Sequence, residues 1–243
     1  MSVEEITANI NREDKTVALA IEKELPRVNK LIEAVVSRLH NDGRMFYLGA
    51  GSGGRLSVLD AIELPTTYGV EKGVVDVILA GGVERLPEAP EEMEDDTDAG
   101  WRMLKQKNVS RKDFVIGISA SGTTPFVLAA LKECRANGIA TGCIVSNPGS
   151  PVAEQADYKV EVITGPEFIS GSTRMKCGTA QKLLFDMIST TVMIRLGRVK
   201  DNRMVNVKLI NNKIIDRGVK MLMEQAQLSD YTKAKEILLT HGS

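Results

Sequence analysis

A glycine-rich stretch at residues 49–55, Gly-Ala-Gly-Ser-Gly-Gly-Arg, has the residue types of an anion-binding turn. Four of its seven residues are glycine, which lets a backbone bend sharply and approach a ligand closely. The apolar run 45–48 predicts a buried strand before it, and residues 56–63 predict a helix after it. Because the first N–H groups of a helix are unpaired and lie at its positive end, a phosphate group would be stabilised there. Alternatively, the stretch is a strand-to-helix turn that binds nothing.

The spacing of the glycines excludes two common phosphate-binding motifs. A P-loop ends in Gly-Lys-Ser/Thr, and no such segment closes this stretch. A dinucleotide fingerprint would use Gly49, Gly51 and Gly54, but Gly54 falls at the wrong spacing for it. If the turn binds an anion, it does so outside both of these classes.

A second turn, residues 119–125 (Ser-Ala-Ser-Gly-Thr-Thr-Pro), follows the apolar run 114–118. Its hydroxyl groups are suited to phosphate oxygens and sugar hydroxyls. Thr124 also stands where a helix N-cap is expected, with Pro125 at the first helical position. Both turns come after predicted strands, and α/β folds bind ligands at the carboxyl ends of their strands. We therefore expect one ligand to contact both turns.

Strands and helices alternate through the rest of this region. Three more strands are predicted, at residues 74–79, 141–145 and 158–163. Pro65 is expected to end the helix that follows the first turn. Further helices are predicted at residues 11–38 (divided by Pro26), 126–135, 181–196, 208–225 and 231–239, with a short extended piece at 204–207. The alternation argues for βαβ units and a parallel sheet covered on both faces.

Composition limits the class of partner. The chain has 31 basic and 32 acidic residues, so no global field favours nucleic acid or a membrane. Its three scattered cysteines fit a reducing compartment better than a disulfide framework. The sequence shows no signal peptide, no membrane-spanning stretch and no metal-binding cluster of His or Cys. We therefore expect a cytoplasmic protein with a small-molecule partner.

Three motifs together resemble the N-acetylmuramic acid 6-phosphate etherases, members of the sugar isomerase (SIS) superfamily, to which the glucokinase regulatory protein is also related. They are residues 49–55, residues 60–65 (Asp-Ala-Ile-Glu-Leu-Pro) and residues 165–182, with the segments Ser-Thr-Arg-Met-Lys and Gly-Thr-Ala-Gln-Lys. The similarity spans about residues 4–218, and the last motif is the most specific. Family members usually carry a second hydroxyl residue at the position of Gly53.

The resemblance implies a SIS fold of the flavodoxin-like kind. This is an α/β structure in which helices sandwich a five-stranded parallel sheet, with helical appendages at both ends. We expect N-terminal helices at residues 1–36, a SIS sugar-phosphate-binding domain at 37–200 and a short helical segment at 201–243. The resemblance also implies a homodimer with its active sites at the subunit interface.

The resemblance further implies a carbon–oxygen lyase of peptidoglycan amino-sugar recycling that needs no cofactor or metal. The ether joining lactate to C3 of N-acetylmuramic acid 6-phosphate would be cleaved by elimination and then water addition, on the ring-opened sugar. The products would be N-acetylglucosamine 6-phosphate and D-lactate. Removal of the C2 proton requires a base, and expulsion of lactate requires an acid. Since His40 and His241 lie at a helix end and in the tail, carboxylates are expected to serve.

The family motifs place these two catalytic roles on Glu63 and Glu94. We expect Glu63 to donate a proton to the ether oxygen, and Glu94 to act as base or water activator. Carboxyl groups suit such roles when burial or a like-charged neighbour raises their pKa. Arg55 either binds the phosphate or braces the first turn by pairing with Asp60, and we expect the second. The expected substrate contacts are Ser52, Gly53, Ser119, Ser121, Thr123, Thr124 and Lys176.

Other classes of function compete with the lyase. A sugar-phosphate-sensing regulator, similar to the glucokinase regulatory protein, would bind the ligand without turnover. An aldose–ketose isomerase of the same superfamily would also need only acid–base groups, but the motif at residues 165–182 points away from it. A DNA-binding regulator is disfavoured because no basic helix-turn-helix segment precedes the sheet. Release of D-lactate separates the enzyme from the sensor.

Overall fold

The structure is a computed structural model that describes residues 1–88, 90–205, 209 and 212–241. The chain divides into two compact units. The larger comprises Met1–Ala61 and Gly73–Val192, and the smaller comprises Ile62–Lys72 and Met193–Ser243.

A five-stranded parallel sheet forms the centre of the larger unit. Its strands are β1 (Met45–Gly49), β2 (Val75–Leu79), β3 (Phe114–Ser119), β4 (Ala140–Val145) and β5 (Tyr158–Glu161). They pair in the order β2-β1-β3-β4-β5, so the strand order reverses between β1 and β3. The predicted parallel sheet is confirmed, with every strand within two residues of its predicted ends. A crevice for ligands is expected at such a reversal, beyond the carboxyl ends of the strands.

Helices cover both faces of the sheet. They are α1 (Val3–Glu22), α2 (Leu25–His40), α3 (Gly51–Tyr68), α4 (Ala99–Gln106), α5 (Pro125–Ala136), α6 (Pro151–Glu154) and α7 (Lys176–Arg195). Helices α4, α5 and α6 pack with Phe46, Leu48 and Val115 on one face. On the other face, the ring of Tyr47 of β1 packs against Phe185 of α7, with ring centroids 5.0 Å apart and ring planes tilted by 57°. None of the described helices has both the length and the apolar character needed to cross a bilayer.

Two strand glycines let helices lie close to opposite faces of the sheet. A Cβ atom at Gly117 would come within 2.6 Å of Leu131 of α5, and one at Gly142 within 2.8 Å of Leu31 of α2. Gly142 pairs with Ile116, the neighbour of Gly117, so the two glycines face opposite sides. The sheet is therefore sandwiched at β3 and β4, as the βαβ pattern predicted.

Helix α3 differs from its sequence prediction at both ends. It begins at Gly51, inside the glycine-rich turn, and continues through Pro65 to Tyr68. A proline removes one N–H donor from a helix, but it does not end the helix when the neighbouring turns are held. The Thr66 hydroxyl donates to the Glu63 carbonyl in this segment. The prediction that Pro65 ends the helix is therefore wrong.

Two other helix boundaries bear on the sequence predictions. Pro26 lies in the first turn of α2, which confirms that it follows the break between two helices. Helix α7 begins at Lys176, five residues before its predicted start at residue 181. Local periodicity is least informative at such helix starts.

The smaller unit contains the last elements of the chain. They are β6 (Val199–Lys200), β7 (Arg203–Met204), α8 (Asn212–Gln225) and α9 (Tyr231–His241). Helices α8 and α9 pack closely at Gly218, where a Cβ atom would lie 2.8 Å from Leu238. Residues 206–207 of the extended piece predicted at 204–207, and residues 208, 210 and 211 of the helix predicted at 208–225, lie outside the described residues.

A buried carboxyl group joins α3 to the sheet and to α7. Asp60 accepts hydrogen bonds from the hydroxyls of Tyr47 (3.1 Å) and Ser189 (2.9 Å). Burial raises the pKa of Asp60 to about 6, although these two hydrogen bonds act in the opposite direction. Arg55 is not among the partners of Asp60 in the described part of the chain, so the expected pairing of Arg55 with Asp60 is not observed.

The raised pKa of Asp60 predicts a pH-dependent loss of stability. The folded protein binds this proton more tightly than the unfolded chain, whose Asp pKa lies near 3.8. The stabilisation is therefore complete below the unfolded pKa and is lost as the pH rises through about 6. The variant Asp60→Asn does not titrate here. Its free energy of unfolding, relative to wild type, should rise by about 2.4 kcal/mol between pH 4 and pH 7.5. Urea unfolding of both proteins measures this difference, and a difference independent of pH would contradict it.

Candidate active site

The structure brings the two turns of the sequence analysis to one small cavity of about 100 Å³. The cavity lies at the carboxyl ends of β1 and β3, where the strand order reverses. Glu94, Thr173 and Gln181 complete its lining. No group of three His, Cys, Asp or Glu side chains arranged to hold a metal ion occurs among the described residues.

The first turn places the start of α3 at the cavity. Gly51 has a φ of 55°, in the left-handed region that favours glycine. Gly54 lies so close to the sheet that a Cβ atom there would be 2.6 Å from Leu79 Cδ1 and 2.8 Å from the carbonyl carbon of Gly49. The first N–H groups of a helix have no acceptor within the helix. At this helix start, on the cavity, they are suited to bind an anion.

The second turn contributes a network of hydroxyl groups. The Ser119 Oγ lies 2.8 Å from Thr124 Oγ1 and 3.3 Å from Ser121 Oγ, and it accepts the Gly122 N–H at 3.0 Å. Thr124 stands at the N-cap of α5, as predicted, but its side chain makes no capping bond and faces Ser119 instead. Thr123 donates its hydroxyl to Ser121 at 3.0 Å. These contacts hold the hydroxyls in place before any ligand binds.

Glu94 lies over the start of α3. Its carboxyl group is so close that a Cβ atom on Gly51 would be 2.8 Å from Oε1. Partial burial raises the pKa of Glu94 above its usual value, and the charges of Glu91 and Asp95 raise it further, whereas Arg55 lowers it. Arg55 therefore acts on Glu94 rather than on Asp60. A carboxyl group with a raised pKa in a cleft is typical of an acid–base residue.

Gln181 lines the cavity although no sequence pattern predicted it as a site residue. It lies on α7 and is buried against the first turn. A Cβ atom at Gly53 would be 2.8 Å from its Oε1 and 2.7 Å from Ile118 Cγ2. The absence of a side chain at Gly53, where the family usually has a hydroxyl residue, thus makes room for this amide. The only sequence signal was the motif at residues 165–182, which gives no indication of which side chain enters the cavity.

Several predicted site residues lie elsewhere. Thr123 is exposed and Glu63 is exposed on α3, and neither lines the cavity. Lys176 is buried, and its Nζ donates to Glu13 at 2.6 Å. In the free protein Lys176 therefore forms an ion pair with α1 and does not line the cavity. Of the two predicted catalytic carboxylates, only Glu94 lines the cavity of a single chain.

Comparisons with known proteins identify the family. Residues 27–135 match the model of the glucokinase regulatory protein N-terminal SIS domain, and residues 84–190 match the SIS domain model. The chain is 54% identical to the N-acetylmuramic acid 6-phosphate etherase of Porphyromonas gingivalis, with 100% of this chain and 88% of that protein aligned. The chain belongs to the N-acetylmuramic acid 6-phosphate etherase family. The etherase of Bacteroides thetaiotaomicron is 52% identical, with 100% of this chain and 87% of that protein aligned.

Solved structures share the fold of this etherase-family chain. A phosphoheptose isomerase from Francisella tularensis has a TM-score of 0.62 at 15% identity, covering 80% of this chain and 99% of that one. A phosphoheptose isomerase from Neisseria gonorrhoeae has a TM-score of 0.59 at 16% identity, covering 78% of this chain and 97% of that one. At such low identity these likenesses concern the fold alone, and they confirm the predicted SIS fold.

The close approach of α3 to the sheet predicts opposite effects for two helical glycines. Alanine is favoured over glycine by about 1 kcal/mol inside a helix. A Cβ atom at Gly54 would meet Leu79 at 2.6 Å, whereas one at Gly178 in α7 would meet nothing closer than the Thr173 carbonyl at 3.5 Å. Gly54→Ala should therefore lower the free energy of unfolding by roughly 1–3 kcal/mol, and Gly178→Ala should leave it unchanged or raise it. Denaturant unfolding tests both, and equal effects would argue against the close approach.

Proposed function

We propose that this etherase-family chain cleaves the lactyl ether of N-acetylmuramic acid 6-phosphate, giving N-acetylglucosamine 6-phosphate and D-lactate. The observation that supports the proposal most strongly is that the full chain is more than 50% identical in sequence to etherases. The cavity supports it, because backbone N–H groups, hydroxyls and one carboxyl group with a raised pKa meet there. Those groups are what phosphate binding and proton transfer require.

The phosphate group would bind between the two turns. The N–H groups at the start of α3 and the hydroxyls of Ser52, Ser119, Ser121 and Thr124 would donate to its oxygens. No lysine or arginine is among the described residues that line the cavity, so hydroxyls and the helix dipole would stabilise the charge. Ligand pockets usually measure about 300–1,000 Å³. The cavity of about 100 Å³ would therefore hold the phosphate and the adjoining part of the sugar, with the rest of the substrate extending outward.

The proposed reaction needs only proton transfers. In the ring-opened sugar the C1 aldehyde makes the C2 proton acidic, and a base removes it. The electron pair forms a C2=C3 double bond while the C3–O bond to lactate breaks and an acid protonates the departing oxygen. Water then adds at C3 and a proton returns to C2, which completes N-acetylglucosamine 6-phosphate. General acid–base help of this kind contributes about 10²–10⁴-fold to the rate of a step.

Glu94 suits the role of base or water activator, because it lies at the cavity and its pKa is raised. We assign the acid to Glu63 and propose that a second copy of the chain supplies its surroundings. On α3, Glu63 follows the exposed Ile62 and stands one turn after the exposed Leu59. Large apolar side chains exposed together favour an interface. A homodimer that covered them would also remove Glu63 from water.

The cysteines support a cytoplasmic location for this reaction. Cys134, Cys143 and Cys177 are buried and unpaired. Burial raises the pKa of Cys134 and of Cys143 to about 12, which keeps both as inert thiols. Unpaired thiols are typical of reducing compartments.

The direct test is incubation with N-acetylmuramic acid 6-phosphate in deuterated water. We expect D-lactate and N-acetylglucosamine 6-phosphate in equal amounts, with deuterium at C2 of the sugar. Release of lactate without deuterium would indicate direct hydrolysis instead of elimination. Binding of the substrate without any lactate would favour a sensor, the alternative that the match to the glucokinase regulatory protein domain keeps open.

The two carboxylates should be needed for turnover but not for folding. Glu94→Gln and Glu63→Gln should each lower kcat for lactate release by about 10²–10⁴-fold, because each removes one proton-transfer group. The control Glu92→Gln changes an exposed residue of the same 3₁₀ helix as Glu94 and should retain wild-type kcat. Melting temperatures should stay close to that of wild type. Full activity in Glu94→Gln would refute the role assigned to Glu94.

A further inference from the structure

The side-chain oxygen of Gln181 is a buried acceptor without a partner. Its Oε1 is inaccessible to solvent and has no hydrogen-bond donor among the described residues. The residue is 2% exposed and lines the cavity. Folded proteins rarely leave such a group unpaired, because it has lost its hydrogen bonds to water and gained none in return. An unpaired acceptor at a ligand cavity points to a donor on the ligand.

The surrounding structure holds this amide in place. Glu167 accepts the N–H groups of Lys176 and Cys177, at 2.7 and 3.0 Å, and so fixes the start of α7. Gln181 lies in the second turn of that helix, and its amide lies against the backbone of Gly53. Its position is therefore set by a helix on one side and by the first turn on the other. Such a fixed side chain has little entropy to lose when a ligand binds.

We infer that Gln181 is a substrate-binding residue whose amide oxygen accepts a hydrogen bond from a hydroxyl or N–H group of the bound sugar phosphate. The inference rests on the proposed function, since it assigns a further contact in the same cavity. The phosphate dianion of a sugar phosphate offers only acceptor oxygens, so this amide oxygen does not bind it. The donors are on the sugar: its hydroxyls and, in an N-acetylated sugar, the acetamido N–H. Gln181 therefore recognises the sugar, while the two turns bind the phosphate.

A purely structural role for Gln181 makes the opposite prediction about stability. A side chain that only supports packing would destabilise the free protein when changed and would leave ligand affinity unaltered. Removal of an unpaired acceptor, by contrast, takes away a group that is unfavourable in the free protein. Stability and affinity, measured on the same variant, therefore separate the two roles.

The test compares Gln181→Met with Gln106→Met. Methionine keeps the length of glutamine but forms no comparable hydrogen bond, and Gln106 is exposed at the end of α4. Calorimetry gives the Kd for N-acetylglucosamine 6-phosphate and for glucose 6-phosphate, and thermal unfolding gives the Tm. Gln181→Met should weaken N-acetylglucosamine 6-phosphate binding about ten-fold with a Tm equal to or above that of wild type. Gln106→Met should change neither.

The two ligands identify the donor. An equal loss of affinity for both ligands would assign the donor to a hydroxyl. A loss of affinity confined to the N-acetylated sugar would assign the donor to the acetamido N–H. Either result supports the inference. If Gln181→Met does not fold, Gln181→Asn, which withdraws the oxygen by one methylene, should also weaken binding. Unchanged affinity in a folded variant would overturn the inference and leave the proposed function intact. A wild-type protein that binds neither ligand would overturn both.

Discussion

The close approach of helix α3 to strand β1 is the constraint on which the rest of the site depends. It is possible because Gly54 has no side chain, and its backbone lies against Gly49 and Leu79. This packing sets the first N–H groups of α3 at the end of β1. Strand β3 is the neighbour of β1, so the hydroxyl network around Ser119 lies beside them. The anion binding proposed for the cavity thus depends on one helix-to-strand contact and on the order of the strands.

In the proposed function, fixed dipoles bind the phosphate and titratable groups transfer protons. Helix N–H groups and hydroxyls do not change charge near neutral pH, so they suit a phosphate that must stay bound through the reaction. Proton transfer is the role we propose for carboxyl groups, and the surroundings of Glu94 show how the pKa of one is adjusted. Partial burial and the charge of Glu91 raise its pKa, while Arg55 limits the rise. Gln181 adds a neutral acceptor, which recognises donors on a sugar without adding another negative charge beside the phosphate.

Local sequence patterns predicted the strands and both turns, because buried strands and glycine-rich bends leave signals within a few residues. They did not predict features that depend on contacts between residues far apart in the sequence. Lys176 pairs with Glu13, 163 residues away in the sequence, and no pattern near Lys176 indicates that contact. Gln181 enters the cavity because α7 packs against the first turn, and no local pattern encodes that contact. Pro65 remains inside α3 because hydrogen bonding and packing along that helix override the usual preference of proline.

The central claim is that the phosphate of a sugar phosphate binds between the start of α3 and the turn around Ser119. A crystal structure of the protein with N-acetylglucosamine 6-phosphate tests this most directly. We expect phosphate oxygens at about 2.7–3.2 Å from the first N–H groups of α3 and from the hydroxyls of the second turn. A well-occupied phosphate located anywhere outside this cavity, with the two turns empty, would contradict it.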